Sequence, residues 1–259
     1  MGWSRTKSYF KKVGEYILIL CLDAGHGGND PGAIGINLTK FGLTEAETTK
    51  KIVDMCVKKL SCYDVKIITT SGSLENRVKT ANDFKADYFI SIHLNSSGKE
   101  NVGEGFESYV KNNPPLMNEY NQKIIHNIIF NYLKQFKVSD RGMKMADFYV
   151  IKYTKMPSVL LELLFVNNSN DIKLLKNESF LDGLCETIVS GIVTCFKLNR
   201  ISENINVQRN ATTITYNNKP LTMDTFVFNG STYVPVGRFS EYLGKKVSKQ
   251  QNVINVTNK

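Results

Sequence analysis

Paired cysteines are missing from this 259-residue chain: Cys21, Cys56, Cys62, Cys185 and Cys195 are odd in number and show no C-x-x-C spacing. The pattern excludes a disulfide framework and a structural zinc knuckle, and it predicts reduced, mostly buried thiols. Long apolar runs are missing too. The stretch Ile17–Leu22 follows a basic start (Arg5, Lys7, Lys11, Lys12), but it is too short for a signal-peptide core and ends in Asp23 instead of a small-residue cleavage site. It is read as a first buried strand, and no other segment is read as spanning a membrane. The glycine-rich Gly25–Gly28 fits neither a dinucleotide-binding turn nor a P-loop. A net charge of +9 draws anionic partners, whether nucleic acid, lipid head groups or an acidic wall polymer. No nucleic-acid-binding motif or aromatic stacking pattern accompanies that charge, so nucleic acid is set aside.

What is present is an alternation. Apolar, β-branched runs recur at Ile17–Leu22, Val65–Thr69, Tyr88–Leu94, Phe106–Val110, Phe148–Ile151 and Val159–Phe165. Helical spacing fills Glu45–Leu60, Arg77–Phe84, Asn118–Phe136 and Ile172–Leu198 between them. The alternation predicts an α/β fold: an open, twisted, mostly parallel sheet with helices on both faces. After Asn199 the texture changes to short strands at Thr212–Tyr216, Thr225–Phe228, Ser231–Val236 and Val253–Val256, with turn signals at Asn217-Asn218 and Asn229-Gly230 and one helix over Gly237–Leu243. The expected organisation is a basic extension over 1–16, a main domain over 17–199 and a small, mainly β module over 200–259.

In open α/β sheets, ligands collect at the carboxyl ends of the strands. His26 follows the first strand, His93 closes the third, and Glu162 interrupts the apolar run Val159–Phe165. Segment 43–52 offers two further carboxylates, and periodicity separates them. Glu45 shares a helix face with Ile52 and Cys56, whereas Glu47 shares one with Lys51, Asp54 and Lys58, so Glu45 points inward and Glu47 to solvent. Two histidines and a carboxylate are a three-ligand set for catalytic zinc that leaves a position open for water. A carboxylate buried in an apolar run is costly without a task, and Glu162 is placed to move protons as acid and base. His126 has helical spacing within an amphipathic stretch and is read as a helix-surface or packing residue.

These residues carry a resemblance. Leu22–Ala33, Glu45, Arg77–Asn82, Ala86–Asn95, Gly103–Tyr109, Asp140–Lys144 and Met156–Glu162 resemble, in order, the zinc-dependent N-acetylmuramoyl-L-alanine amidases of the amidase-3 family of autolysins and phage endolysins. The resemblance implies that His26, Glu45 and His93 bind one zinc ion and that Glu162 is the catalytic residue. It also implies a substrate, the amide joining N-acetylmuramic acid to L-alanine in peptidoglycan, and hence wall lysis. Where the family commonly has glycine two residues after the catalytic glutamate, this chain has Leu164. The complete residue set argues against a catalytically silent wall-binding protein. Without a recognised export signal, the expectation is an enzyme made in the bacterial cytoplasm that acts at the wall after release, its basic surface meeting anionic wall polymers. The segment Asn229–Val236 followed by Phe239–Gly244 is similar to the small copper-amine-oxidase-type stalk domain. It holds no histidine or cysteine for copper, and the roles left open are wall targeting and a folding or dimerisation appendage.

Overall fold

A computed structural model describes residues 17–35 and 43–201, together with the backbone of five strands between residues 208 and 258. The chain divides into two compact units, Met1–Ile201 and Ser202–Lys259. The first unit holds strands β1 (Leu18–Ala24), β2 (Val65–Thr70), β3 (Tyr88–Asn95), β4 (Phe106–Val110), β5 (Asp140–Met145) and β6 (Ser158–Phe165). Its helices are α1 (Glu45–Leu60), α2 (Leu74–Asp83), α3 (Leu116–Leu133), α4 (Tyr149–Tyr153), α5 (Ser169–Leu175) and α6 (Glu178–Phe196). The strands form one sheet in the order β2-β1-β3-β6-β4-β5. β2, β1, β3 and β6 run parallel; β4 is antiparallel to β6 and parallel to β5. The sheet is therefore mostly parallel, with its direction reversed once.

Alternation along each strand sorts the core into two layers. Leu20 and Leu22 of β1, Ile90, Ile92 and Leu94 of β3, and Leu161 and Leu163 of β6 face the layer built by α1, α3 and α6. Cys21, Phe89 and Leu160 face the other way, onto Val78 and Ala81 of α2 and Val150 and Ile151 of α4. That second layer is thin, because α2 and α4 are short. The same rows continue as Asp23, Ser91, His93 and Glu162 toward the carboxyl ends of the strands.

Helix starts follow local capping. Thr44 accepts the Glu47 N–H (3.2 Å) and donates to the Glu47 carboxylate (3.0 Å), fixing the first residue of α1 at Glu45 and leaving Glu47 exposed. Asn177 accepts the Phe180 N–H (3.1 Å) and starts α6, which is why Ile172–Leu198 is two helices and not one. α6 is long and apolar enough to cross a membrane by composition, contrary to expectation, but Phe180, Leu184, Cys185, Ile188 and Ile192 are buried and make it a core helix.

Two further differences have physical reasons. Phe148–Ile151 is no strand: Phe148 caps α4, and Val150 and Ile151 are buried from a helix, an alternative that a short apolar run does not exclude. β5 is a strand that hydrophobicity does not reveal, because it is an edge strand that alternates around exposed positions, with Met143 and Met145 outside. α3 extends through a 3-10 turn, Lys134–Phe136, and so fills the expected span. His126 on α3 is buried: Phe106 stacks on its ring (4.5 Å between centroids), Ser108 Oγ lies 2.8 Å from Nδ1 and Asp140 Oδ1 lies 3.1 Å from Nε2.

In the second unit, β7 (Gln208–Tyr216), β8 (Lys219–Phe228) and β9 (Ser231–Tyr233) form an antiparallel sheet, and β10 (Lys245–Gln250) pairs with β11 (Val253–Asn258). β10 is too polar to be read as a strand from sequence. The extension 1–16, both expected asparagine turns and the helix over Gly237–Leu243 lie outside the described residues.

One buried ion pair ties α2 to the end of β1. Asp23, fully buried, receives Thr70 Oγ1 (2.9 Å), Ser91 Oγ (2.6 Å) and the Arg77 guanidinium. Arg77 spends its other donors on the carbonyls of Gly72, Ala24 and His26. Removing one partner strands the other charge, so Arg77→Met is expected to cost about 3–5 kcal/mol in denaturant melts. Adding Asp23→Asn to that variant should recover part of the loss.

Candidate metal centre and acid/base

The chain leaves β1 through Gly25, whose N–H donates to the Ile92 carbonyl (2.9 Å), and turns at His26, which holds the left-handed φ of 62°. Gly27 and Asp30 close the turn with reciprocal backbone bonds of 2.8 and 3.2 Å. Asp30 then does local work: Oδ1 accepts the Gly32 N–H (3.0 Å), and Oδ2 sits 2.8 Å from His26 Nδ1. With Nδ1 engaged by Asp30, Nε2 is aimed at Glu45 Oε2, 3.2 Å away. A carboxylate behind an imidazole is how a ligating ring is oriented.

Glu45 is the meeting point. Its carboxylate is buried at the head of α1, with Oε2 accepting the Ala33 N–H (2.9 Å) and Oε1 accepting the Leu94 N–H (3.0 Å). His93 Nδ1 lies 2.9 Å from Oε1, and the His26 and His93 rings meet edge-on at 5.1 Å. One ligand atom from each of His26, Glu45 and His93 falls within 4.8 Å of the others. The fold thus brings these three side chains together. Two close approaches leave no room for a side chain. A Cβ on Gly25 would stand 2.6 Å from the His93 ring, and one on Gly32, at φ +67°, would stand 2.6 Å from the His26 ring and 2.8 Å from Glu45 Oε2.

The electrostatics favour a positive charge between these groups. Hydrogen bonding to Glu45 is the main cause that pushes His26 up to about 9, with Asp30 adding to it against burial. Burial alone would raise Glu45, but the bonds to His26 and His93 outweigh it and hold the carboxyl well below the usual carboxylate range. Two imidazole nitrogens and a carboxylate oxygen that converge and stabilise a cation are a donor set suited to zinc.

Glu162 stands directly across from His93 in the β3-β6 register. It is half-buried in the apolar middle of β6, and among the described residues its shielded Oε2 has no hydrogen-bond partner. Burial pushes its carboxyl up to about 7; His93 opposes the shift, while the carboxylates of Glu45 and Glu107 add to it. An acid poised near neutrality both accepts and returns a proton. Leu164, in place of the expected glycine, is buried in the α1-α3-α6 layer.

Sequence reasoning held Asp30, Arg77 and Glu107 only within the family-like stretches and assigned none of them a role. Asp30 and Arg77 act through loop geometry and backbone carbonyls, which leave no periodic trace. Glu107 was open to detection by the signal that marked Glu162, a carboxylate inside an apolar strand.

The profile of the Amidase_3 family, described as N-acetylmuramoyl-L-alanine amidase, matches residues 20–194. An endolysin of Bacillus phage SPP1 is 37% identical over 192 residues, covering 71% of this chain and 68% of the endolysin. The N-acetylmuramoyl-L-alanine amidase CwlM of Bacillus licheniformis is 35% identical over 182 residues, covering 69% of each chain. Among solved structures, the catalytic domain of the amidase CwlV from Bacillus (Paenibacillus) polymyxa superposes with a TM-score of 0.64 at 28% identity, covering 71% of this chain and all of that domain.

Two outcomes are expected. Gly25→Ala should displace the His93 ring and lower zinc affinity about tenfold or more in chelator competition, the scale of disturbed ligand support, while Gly98→Ala, with open space at its Cβ, should not. A carboxyl whose folded pKa is raised loses native stability as pH climbs from its ordinary 4.5 through about 7. Between pH 5 and pH 8 the metal-free parent should therefore lose on the order of 1–3 kcal/mol relative to Glu162→Gln in paired melts.

Proposed function

Because the chain belongs to the Amidase_3 family of N-acetylmuramoyl-L-alanine amidases, we propose that it is a zinc-dependent hydrolase of the amide between N-acetylmuramic acid and L-alanine in peptidoglycan. The observation that carries the zinc reading is the convergence of His26, Glu45 and His93, with Glu162 opposite His93. When bound by these three side chains, zinc supplies a Lewis acid that acidifies water and polarises a carbonyl oxygen.

The chain's own groups account for the proton traffic. Glu162 takes a proton from the attacking water as the new C–O bond forms. It returns that proton to the alanine nitrogen as the C–N bond breaks, so the carboxylate is regenerated each cycle. Its buried position keeps its proton affinity close to neutrality, which suits both halves of the task. Asp30 holds the His26 ring through Nδ1, and Arg77 holds the His26 backbone. Both side chains act on the approach of β1 to the centre.

Action at the cell wall fits the endolysin and amidase relatives. Residues 200–259 are read as an accessory module that retains the enzyme on the wall, supported by the stalk-domain resemblance and by the chain's net charge of +9, which suits anionic wall polymers.

Digestion of defined muropeptides, with the cleaved bond identified by mass spectrometry, tests the reading. Cleavage between the lactyl group and L-alanine should stop with a chelator and return with zinc. Glu162→Gln should keep its metal and lose about 10²–10⁴-fold in turnover, the usual worth of positioned acid/base catalysis. His93→Ala should lose metal by elemental analysis. Chelator-resistant cleavage, or a Glu162→Gln enzyme with parental turnover, would refute it.

A further inference from the structure

A second charged cluster lies one strand beyond Glu162, on the side away from the histidines. Glu107 of β4 stands opposite Glu162 in the antiparallel register, and opposed residues point to the same face. Its side chain is 3% exposed, yet two cations close on it: Arg141 Nε at 2.9 Å and the Lys144 ammonium, both on Oε2. Asn95 donates to the other oxygen. The cations are held a second time by rings, with the Arg141 guanidinium 4.9 Å over Phe165 and the Lys144 ammonium 5.7 Å from the centre of Tyr109.

Both cationic side chains remain more than a third open to solvent, at 36% and 38%. Two positive charges on one carboxylate leave one unbalanced. The neighbouring acids are turned elsewhere: Asp140 bonds to His126 beneath the opposite face, and the Glu104 carboxylate accepts from Ser139 Oγ at 3.0 Å. Among the described residues Arg141 Nη2 finds no acceptor, and an ammonium carries donors beyond the one given to Glu107. A buried carboxylate thus holds two cations in place while their remaining donors face outward.

The order of groups across the sheet supplies a direction. His26, His93, Glu162, Glu107 and then Arg141 with Lys144 follow the strand order β1-β3-β6-β4-β5. On the reading given above, the carbonyl sits at the histidine end and the nitrogen that leaves sits at Glu162. The released peptide then continues over β4 toward β5. The residue after L-alanine in a stem peptide carries either a free carboxylate or its carboxamide. We propose that Arg141 and Lys144, held by Glu107, form a subsite that grips this carboxylate and selects stem peptides whose second residue is not amidated. This assignment rests on the amidase reading for its direction.

The experiment uses the zinc-loaded full chain and two released tripeptides that differ only in carboxylate or carboxamide at the second residue. Titration calorimetry should show the carboxylate form binding at least about tenfold more tightly, in keeping with charge-assisted pairing. Kinetics on the matching muramoyl tripeptides should show the same preference in KM. Arg141→Gln with Lys144→Met should erase the preference, read as the ratio between the carboxylate and carboxamide forms in affinity and in KM, so that a loss common to both forms cancels. Equal affinity of the parent for both tripeptides overturns the subsite, and that arm needs no variant. A preference that survives in the double variant overturns it as well. Cleavage without preference removes the subsite alone, whereas a binding preference without any cleavage keeps the subsite and removes the amidase reading.

Discussion

A carboxylate buried at the head of a helix is the constraint on which the rest of the site depends. Glu45 leaves water at a cost that only opposite charge and hydrogen bonds offset, and it finds two backbone N–H groups and two imidazoles. These partners come from two pieces of chain, His26 and Ala33 from the loop after β1 and His93 and Leu94 from the end of β3, while Glu45 itself comes from α1. Meeting around one side chain fixes their relative positions. The space this leaves is so small that Gly25 and Gly32 have no room for a methyl group. The architecture of β1, β3 and α1 is thus bound to the presence of that charge, and the His26–Asp30 pair adds orientation to what Glu45 supplies in position.

The reversal of strand direction at β6 contributes the other half. Four parallel strands bring their carboxyl ends to the crevice, as an open α/β sheet does. β4 runs the opposite way and delivers Glu107 from near its beginning, next to Glu162. Two carboxylates of opposite character result. Glu107, clasped by Arg141 and Lys144, is held below the ordinary range even though burial, the largest single influence, pushes the other way. Glu162, set among apolar neighbours without such partners, rises toward neutrality. Adjacent strands of one sheet thus provide a fixed anion and a mobile proton.

How much of this was legible depended on whether the signal was periodic. α1 was read with its boundaries and its inward carboxylate, because Ile52 and Cys56 mark the buried face. The positions of His26 and His93 at strand ends and of Glu162 within an apolar strand were legible because β1, β3 and β6 are apolar enough to stand out. β5 was not, since an outer strand keeps one edge and many side chains in solvent and need not be hydrophobic. α4 was mistaken for a strand, because a five-residue helix that buries Val150 and Ile151 carries the same apolar signature as a short strand. Asp30 and Arg77 stayed hidden for another reason: both act on a loop whose left-handed turn at His26 has no counterpart in residue composition.

The exposed flank of β5 has a consequence for the molecule as a whole. Among the described residues no strand pairs with the outer side of β5, and such an edge is a template for another chain's strand, a contact to which Met143 and Met145 would add apolar burial. Between and beside them stand Asp140, Arg141 and Lys144. These charges guard the open border of the sheet against intermolecular pairing, independently of any ligand. Substitutions that neutralise β5 therefore act on colloidal behaviour as well as on chemistry, and the strand is constrained from both directions.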